Sequence, residues 1–261
     1  MKTIVVSAVN KRKGGTLTIL RDCLDYLSTL AQSGEYRVVA LVHDKKLLNC
    51  PGVELMEIPW TVGSWVKRLW CEYVTMRKIS KQLSPVYLWF SLHDTTPNVI
   101  AERRAVYCHN PFPFYKWKWK ELLFNYHIVC FAWFSKYIYQ INIHKNFRVV
   151  VQQEWIRERF MKMFNLPLEK IILAKPSSPN VSLTDKSYLN NDGICRFLFS
   201  SFGDIHKNFE CLCEAAAILE KEVGKGKFKV TITISGDDNK YTKWLYSKWG
   251  NVDSLDFAGF M

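Results

Sequence analysis

Apolar residues in this chain fall into short continuous runs, separated by stretches in which they recur every three or four positions. The runs TIVVSAV (3–9), YRVVALVH (36–43), VELMEIP (53–59), VYLWFSLHD (86–94), RAVYCHNP (104–111) and FRVVVQQ (147–153) have the length and composition of buried strands. The helical spacing between them predicts helices over 16–32, 63–83, about 117–144 and 154–165. Strand and helix in repeated alternation predict an α/β fold with a parallel sheet covered on both faces.

Near residue 176 the pattern breaks. KPSSPNVSLTDKSYLNNDG is rich in Pro, Ser and Asn and reads as a linker. The alternation then restarts, with strands expected in 195–204, 227–238 and the terminal VDSLDFAGF, and helices over 207–223 and 240–248. The expected organisation is a complete N-terminal parallel-sheet domain over 1–175, a linker over 176–194, and the opening of a second domain over 195–261. A doubly wound domain needs more strands than that second stretch supplies, and a last strand such as LDFAGF should lead into another helix.

Composition narrows the picture. Of 261 residues 48% are apolar, enough for a sizeable core, and the net charge of +12 favours an anionic partner. No stretch reaches the roughly 18 apolar residues a spanning helix needs, and the N-terminus lacks the organisation of a signal peptide. The eight cysteines show no C-x-x-C or zinc spacing and sit among mostly apolar neighbours, as buried free thiols do. No metal site is expected.

The first strand runs into NKRKGGTLTIL (10–20). This is no P-loop, because Lys11 and Lys13 precede Gly14, and no dinucleotide fingerprint, because Gly15 is followed by Thr16, Leu17 and Thr18. Two readings remain. Gly14 and Gly15 let a ligand approach a helix N-terminus that attracts anions, or they form a plain strand-to-helix turn. In open parallel sheets ligands sit beyond the C-terminal strand ends. The residues there include Asn10, His43, His93 with Asp94, His109 with Asn110, and Ser200 with Ser201. Each histidine alone fits a structural role; together, polar tips on nearly every strand describe a cleft rim.

In YCHNPFPFY (107–115) the prolines hold the exit from the strand extended. Phe112, Phe114 and Tyr115 must then pack on the core, a sugar ring or a lipid. The following segment is basic and aromatic: between 101 and 150 eight Lys and Arg face two Glu, half of the net charge. Lys116, Trp117, Lys118, Trp119 and Lys120 suit an anionic membrane interface or a crossover helix with one buried face. A nucleic-acid partner would need a recognisable motif beside the charge, and none is found. In SSFGDIHKNFECLCEAA (200–216), Lys207 and Asn208 open a helix; a lysine there opposes the helix dipole unless an anion lies nearby.

The Gly-Gly loop after the first strand, His109 at a strand end, the Pro/Ser linker and the segment around His206, Lys207 and Asn208 resemble glycosyltransferase family 4, of GT-B fold. NKRKGGTLTIL, LHDTTPNVIAE, YCHNPFPFYKWKWK and FSKYIYQINIHKN are most similar to bacterial enzymes of surface-polysaccharide synthesis. The resemblance implies two Rossmann-like domains facing across a cleft, with the acceptor on the first and a nucleotide-sugar on the second. It also implies a retaining, hexosyltransferase-type reaction without metal or other cofactor. Gly14, Gly15, Lys207 and Asn208 then meet the donor phosphates and sugar, and His109 is the catalytic cleft histidine. Asn10, His93, Asp94 and Asn110 line the acceptor side, and the 116–120 segment faces the acceptor lipid at the inner face of the cytoplasmic membrane, with a lipid-linked saccharide as acceptor. Two departures stand out. Gly203 and Asp204 occupy the place of the family's arginine, and the family's paired glutamates lie beyond this sequence. The chain is therefore expected to be truncated and nearly inactive alone, or to be a non-catalytic binder of glycan or anionic membrane.

Overall fold

Strands without a polar face call for cover on both sides, and the computed structural model, which describes residues 1–176 and 192–260, holds such strands in two parallel sheets. The described residues fall into two compact units, 1–115 with 131–176, and 116–130 with 192–260.

The first unit carries seven parallel strands: β1 Lys2–Ala8, β2 Tyr36–Val42, β3 Val53–Glu57, β4 Val86–Ser91, β5 Arg103–Cys108, β6 Arg148–Val151 and β7 Ile171–Leu173. Their order is β3-β2-β1-β4-β5-β6-β7, so the winding reverses between β1 and β4. The strand period of two splits β1 between two cores. Ile4, Val6 and Ala8 pack with Leu17, Leu20, Leu24 and Leu27 of helix α1 (Gly14–Gln32). Val5 and Val9 pack with Cys71, Met76, Ile79 and Trp89 on the opposite face. The Trp89 indole donates to Ser7 Oγ at 3.1 Å and so satisfies the one polar atom its burial would strand.

Three expectations need correction. The helix over 63–83 is instead α2 (Trp65–Trp70), a π turn (Cys71–Thr75) and α3 (Met76–Gln82). The helix over 117–144 is α4 (Trp119–Gln140), broken at Asn125 (φ −154°, ψ 84°). Asn125 Oδ1 accepts from Ile128 N at 3.3 Å and restarts the helix as an N-cap would. Strand β7 was missed, being only three residues long. The expected linker 176–194 lies almost wholly outside the described residues.

Residues 116–130, expected in the first domain, belong to the second unit. The ring of Phe124 lies 5.6 Å from Tyr241 and 5.5 Å from Trp244, and Lys120 Nζ is 2.6 Å from Glu210 Oε1. This unit holds β8 (Cys195–Phe199), β9 (Phe228–Ile232) and β10 (Leu255–Phe257), parallel and in the order β10-β9-β8. Helix α6 (Phe209–Val223) buries Phe209, Cys213 and Ala216. Helix α7 (Lys240–Trp249) buries Tyr241, Leu245 and Trp249 behind a capping box formed by Asn239 and Thr242. Among the described residues strand β8 pairs only with β9, and all five of its residues are exposed. Of the cysteines, Cys50, Cys71, Cys108 and Cys213 are buried as expected, whereas Cys130, Cys195 and Cys211 are exposed.

Helix α5 (Glu154–Phe164) anchors the far end of the first sheet through Phe160, which is fully buried against Val149, Val151 and Phe164. Phe160→Ala should cost about 3–5 kcal/mol in chemical denaturation; a loss below about 1 kcal/mol would show that Phe160 does not anchor this layer.

Candidate active site

The site builds up where β1, β4 and β5 end, beside the reversal of winding. The chain after β4 turns through Asp94 in the left-handed region (φ 68°), a conformation Asp tolerates better than most residues. Its carboxylate is buried. Oδ1 accepts backbone N–H from His109 at 2.7 Å and from Asn110 at 3.1 Å, which fixes the exit of β5. His109 Nδ1 lies 3.0 Å from the same oxygen, in contact but poorly aligned for a hydrogen bond. On the other ring edge, Lys11 Nζ is 3.3 Å from His109 Nε2. A ring protonated at Nδ1 turns its N–H toward the carboxylate and leaves Nε2 to accept from the ammonium.

Burial alone would raise the pKa of Asp94, but His109, Lys11 and the backbone N–H of His109 outweigh it and hold it at about 2. Burial lowers that of Lys11 to about 8, against the pull of Asp94 and with the push of Arg68. His93 is fully buried; its Nδ1 meets Asn10 Oδ1 at 3.0 Å, and burial, then Arg68 and Lys11, push its pKa well below 6.5. Among the described residues His93 Nε2 has no hydrogen-bond partner.

A second ring of contacts supports the first. Arg68 donates to Glu72 Oε1 at 2.9 Å and to the carbonyl of His93 at 2.8 Å, while Thr95 Oγ1 donates to Glu72 Oε2 at 2.6 Å. Glu72 is buried at the start of the π turn, at the i, i+4 spacing from Arg68 that puts the two side chains on one helix face. Arg68 and Glu72 were not among the expected site residues, and the lysines of the 10–20 loop were expected to face an anionic ligand or membrane, whereas Lys11 is buried against His109. The signal for Arg68 and Glu72 was an i, i+4 charge pair inside an otherwise apolar helical stretch. Outside this ring, Asn10, Arg12, Gly63, Ser64, Trp65 and Arg68 line a pocket of about 300 Å³.

Of the expected residues, Asn10, His93, Asp94, His109 and Asn110 are brought together. His93 and Asp94 are inside rather than on a rim, and His109, with 17% of its side chain exposed, is the ring that a ligand can reach. Gly14 (φ 61°) and Gly15 begin α1 in the open, with no atom within 4 Å of an added Cβ. Lys13, the N-cap, makes no side-chain cap, so the first N–H groups of α1 face outward.

In the second unit, Lys207 lies not in α6 but in the 3-10 turn before it (Ile205–Lys207), and Asn208 (φ 54°) makes the left-handed corner into the helix. Lys207, Ser200, Ser201 and Thr233 line a pocket of about 470 Å³ with Leu198, Phe202 and Phe260. Gly203 is fixed by packing, since an added Cβ would stand 2.5 Å from Thr242 Cγ2. In the 116–120 segment, Trp119 is 77% exposed and crosses Trp117 edge to face at 5.4 Å, whereas Lys120 is engaged with Glu210. Phe112 and Phe114 pack on Phe131 and Phe160, which answers where the apolar loop after β5 goes. Among the described residues no helix is long and apolar enough to cross a membrane.

No protein-family model and no curated protein matches the sequence. Solved structures do resemble it. A glycosyltransferase from Rickettsia africae ESF-5 matches with a TM-score of 0.59 at 13% identity, over 100% of this chain and 69% of that one. TarM matches at 0.56 and 10%, over 100% and 77%. The apo form of the lipopolysaccharide outer core galactosyltransferase WaaB matches at 0.55 and 10%, over 100% and 68%. At such identity the likeness is one of fold: a mixed α/β, GT-B-like architecture shared with glycosyltransferases.

Two pH effects follow. The folded pKa of Asp94, about 2, lies below its ordinary 3.8, so its stabilisation is complete above about pH 4 and disappears as pH falls toward 2. Asp94→Asn keeps a residue tolerant of the left-handed corner, should cost about 3–5 kcal/mol at neutral pH and should flatten that acid limb in urea midpoints. An unchanged limb would contradict it. Lys11, at about 8 against an ordinary 10.5, gives up its proton more readily when folded, so stability should rise between those values. Lys11→Met should remove that rise, and a rise of the same size in the variant would contradict it.

Proposed function

We propose that this chain is the larger part of a family 4 glycosyltransferase of bacterial surface-glycan synthesis. It moves a hexose from a nucleotide-sugar to a lipid-linked or polysaccharide acceptor, with retention, at the inner face of the cytoplasmic membrane. The observation that carries the reading is the Lys11–His109–Asp94 contact at the strand ends, in the same loop region as the open start of α1. A partly exposed imidazole, oriented from behind by a buried carboxylate, can offer Nε2 to a sugar hydroxyl that takes the place of the Lys11 ammonium.

The donor diphosphate gains charge as it leaves, and fixed positive groups stabilise that change. In the first unit the outward N–H groups of α1 at Gly14 and Gly15 suit this role; in the second, Lys207 beside Ser200, Ser201 and Thr233 does. Asn10 and Asn110 serve the acceptor side, and Trp117, Trp119, Lys116 and Lys118 the membrane. No residue is assigned to a metal.

One observation favours the reading of an incomplete donor unit. Parallel sheets are normally covered on both faces, yet Phe197, Leu198 and Phe199 of β8 are 50%, 64% and 36% exposed, and among the described residues one edge of that strand is unpaired. We infer that polypeptide outside this sequence completes the unit, and that the chain by itself holds glycan or membrane without turning over. Asp204, at the entry of the Lys207 turn, adds to the same conclusion, since its charge opposes a diphosphate.

In the completed enzyme His109→Ala should lower kcat about 10²–10³-fold, with a smaller change in KM, and Lys207→Ala should do the same with weaker donor binding. Retention of near-full kcat by His109→Ala would remove the catalytic role. Normal turnover by the 261-residue chain alone would remove the inference of incompleteness.

A further inference from the structure

A second basic and aromatic pocket lies in the first unit on elements other than the strand-end cluster. Helix α5 turns Ile156, Phe160 and Phe164 to the core. The opposite face repeats at helical spacing as Trp155, Glu158, Arg159 and Lys162. With Phe114 and Lys136 of α4, this face encloses about 560 Å³.

The floor is apolar and fixed. Phe114 crosses Phe160 at 5.7 Å and Trp155 at 6.0 Å, both edge to face. Above it the Arg159 guanidinium carbon stands 5.6 Å from the Phe114 ring centre and 5.9 Å from that of Trp155, close enough for cation–π attraction. The rings thus position the cation without neutralising it. Among the described residues Lys136, Arg159 and Lys162 form no ion pair, although Arg157 one turn away is paired with Glu154. Three cations and a single carboxylate, Glu158, therefore share one concavity with two aromatic rings and Met163.

The geometry points to a binding site for a phosphate ester bearing an apolar group: the phosphate on Arg159, Lys162 and Lys136, the apolar part on Trp155 and Phe114. An unpaired guanidinium in a planar fork suits phosphate oxygens, and the ring floor excludes water from one side of the pair. The ester can come from a membrane phospholipid headgroup or from a soluble molecule. The site holds whether or not the chain transfers sugar.

The test uses the whole chain, with Met methyl groups labelled with carbon-13 and the Met163 signal, at the pocket wall, assigned by Met163→Leu. Phenyl phosphate is the soluble probe; phosphatidylcholine vesicles with and without phosphatidylglycerol are the membrane probe, read by pelleting. A Met163 shift with phenyl phosphate that weakens about tenfold in Arg159→Gln/Lys162→Gln supports a soluble ester. Pelleting with phosphatidylglycerol vesicles only, lost in the same variant and at high salt, supports the lipid headgroup. Both altered positions are exposed, and an unchanged urea midpoint confirms the variant's fold. No response to either probe, or a response unchanged in the variant, overturns the proposal.

Discussion

A carboxylate shut away from water at the end of β4 governs the arrangement around it. An isolated buried charge costs several kcal/mol, so Asp94 must be met by cations and N–H groups from every side that can reach it. Those groups come from two loops: Lys11 after β1, and the backbone and ring of His109 after β5 with the N–H of Asn110. One side chain thereby ties the ends of strands that the doubly wound order places side by side. The left-handed corner at Asp94 is part of the same device, because it aims the carboxylate back at β5. Arg68, held by Glu72 and bonded to the carbonyl of His93, closes the assembly from the far side.

This device divides labour among polar residues that look alike in the sequence. Asp94 and His93 are brackets, both inside the fold. His109 is the part left reachable, and its ring edges are spoken for in a way that fixes its orientation. A histidine that is oriented but partly exposed can respond to a hydroxyl; a histidine sealed like His93 cannot meet one without a change in the loops.

Much of the first unit was legible in the sequence because its strands are continuous apolar runs, and burial on two faces leaves no other pattern. The helix of residues 14–32 was legible for a related reason, its leucines falling every three or four positions. What could not be read was governed by partners distant in sequence. The π turn at Cys71–Thr75 interrupts a helix whose periodicity gives no sign of it, and the contact of Glu72 with Thr95 joins residues 23 apart. The break at Asn125 and the membership of residues 116–130 in the second unit depend on Tyr241, Trp244 and Glu210, more than a hundred positions from Phe124 or ninety from Lys120. Five of the strand-end site residues were visible as types at strand ends; Lys11 was visible only as one of several basic residues in a loop, and its burial was not. The second unit kept its strand and helix pattern, and the exposure of all five residues of β8 was not legible, since their apolar run reads like that of a buried strand.

Hydrogen–deuterium exchange of the chain with and without a panel of nucleotide-sugars tests the central claim most directly, because it reports where a ligand settles. The account predicts slower exchange at Asn10–Thr16 and at His109–Asn110 with at least one donor, and no such effect in Asp94→Asn, in which the loops are no longer tied. Protection confined to other segments, or protection of these loops that survives loss of the Asp94 charge, would contradict it.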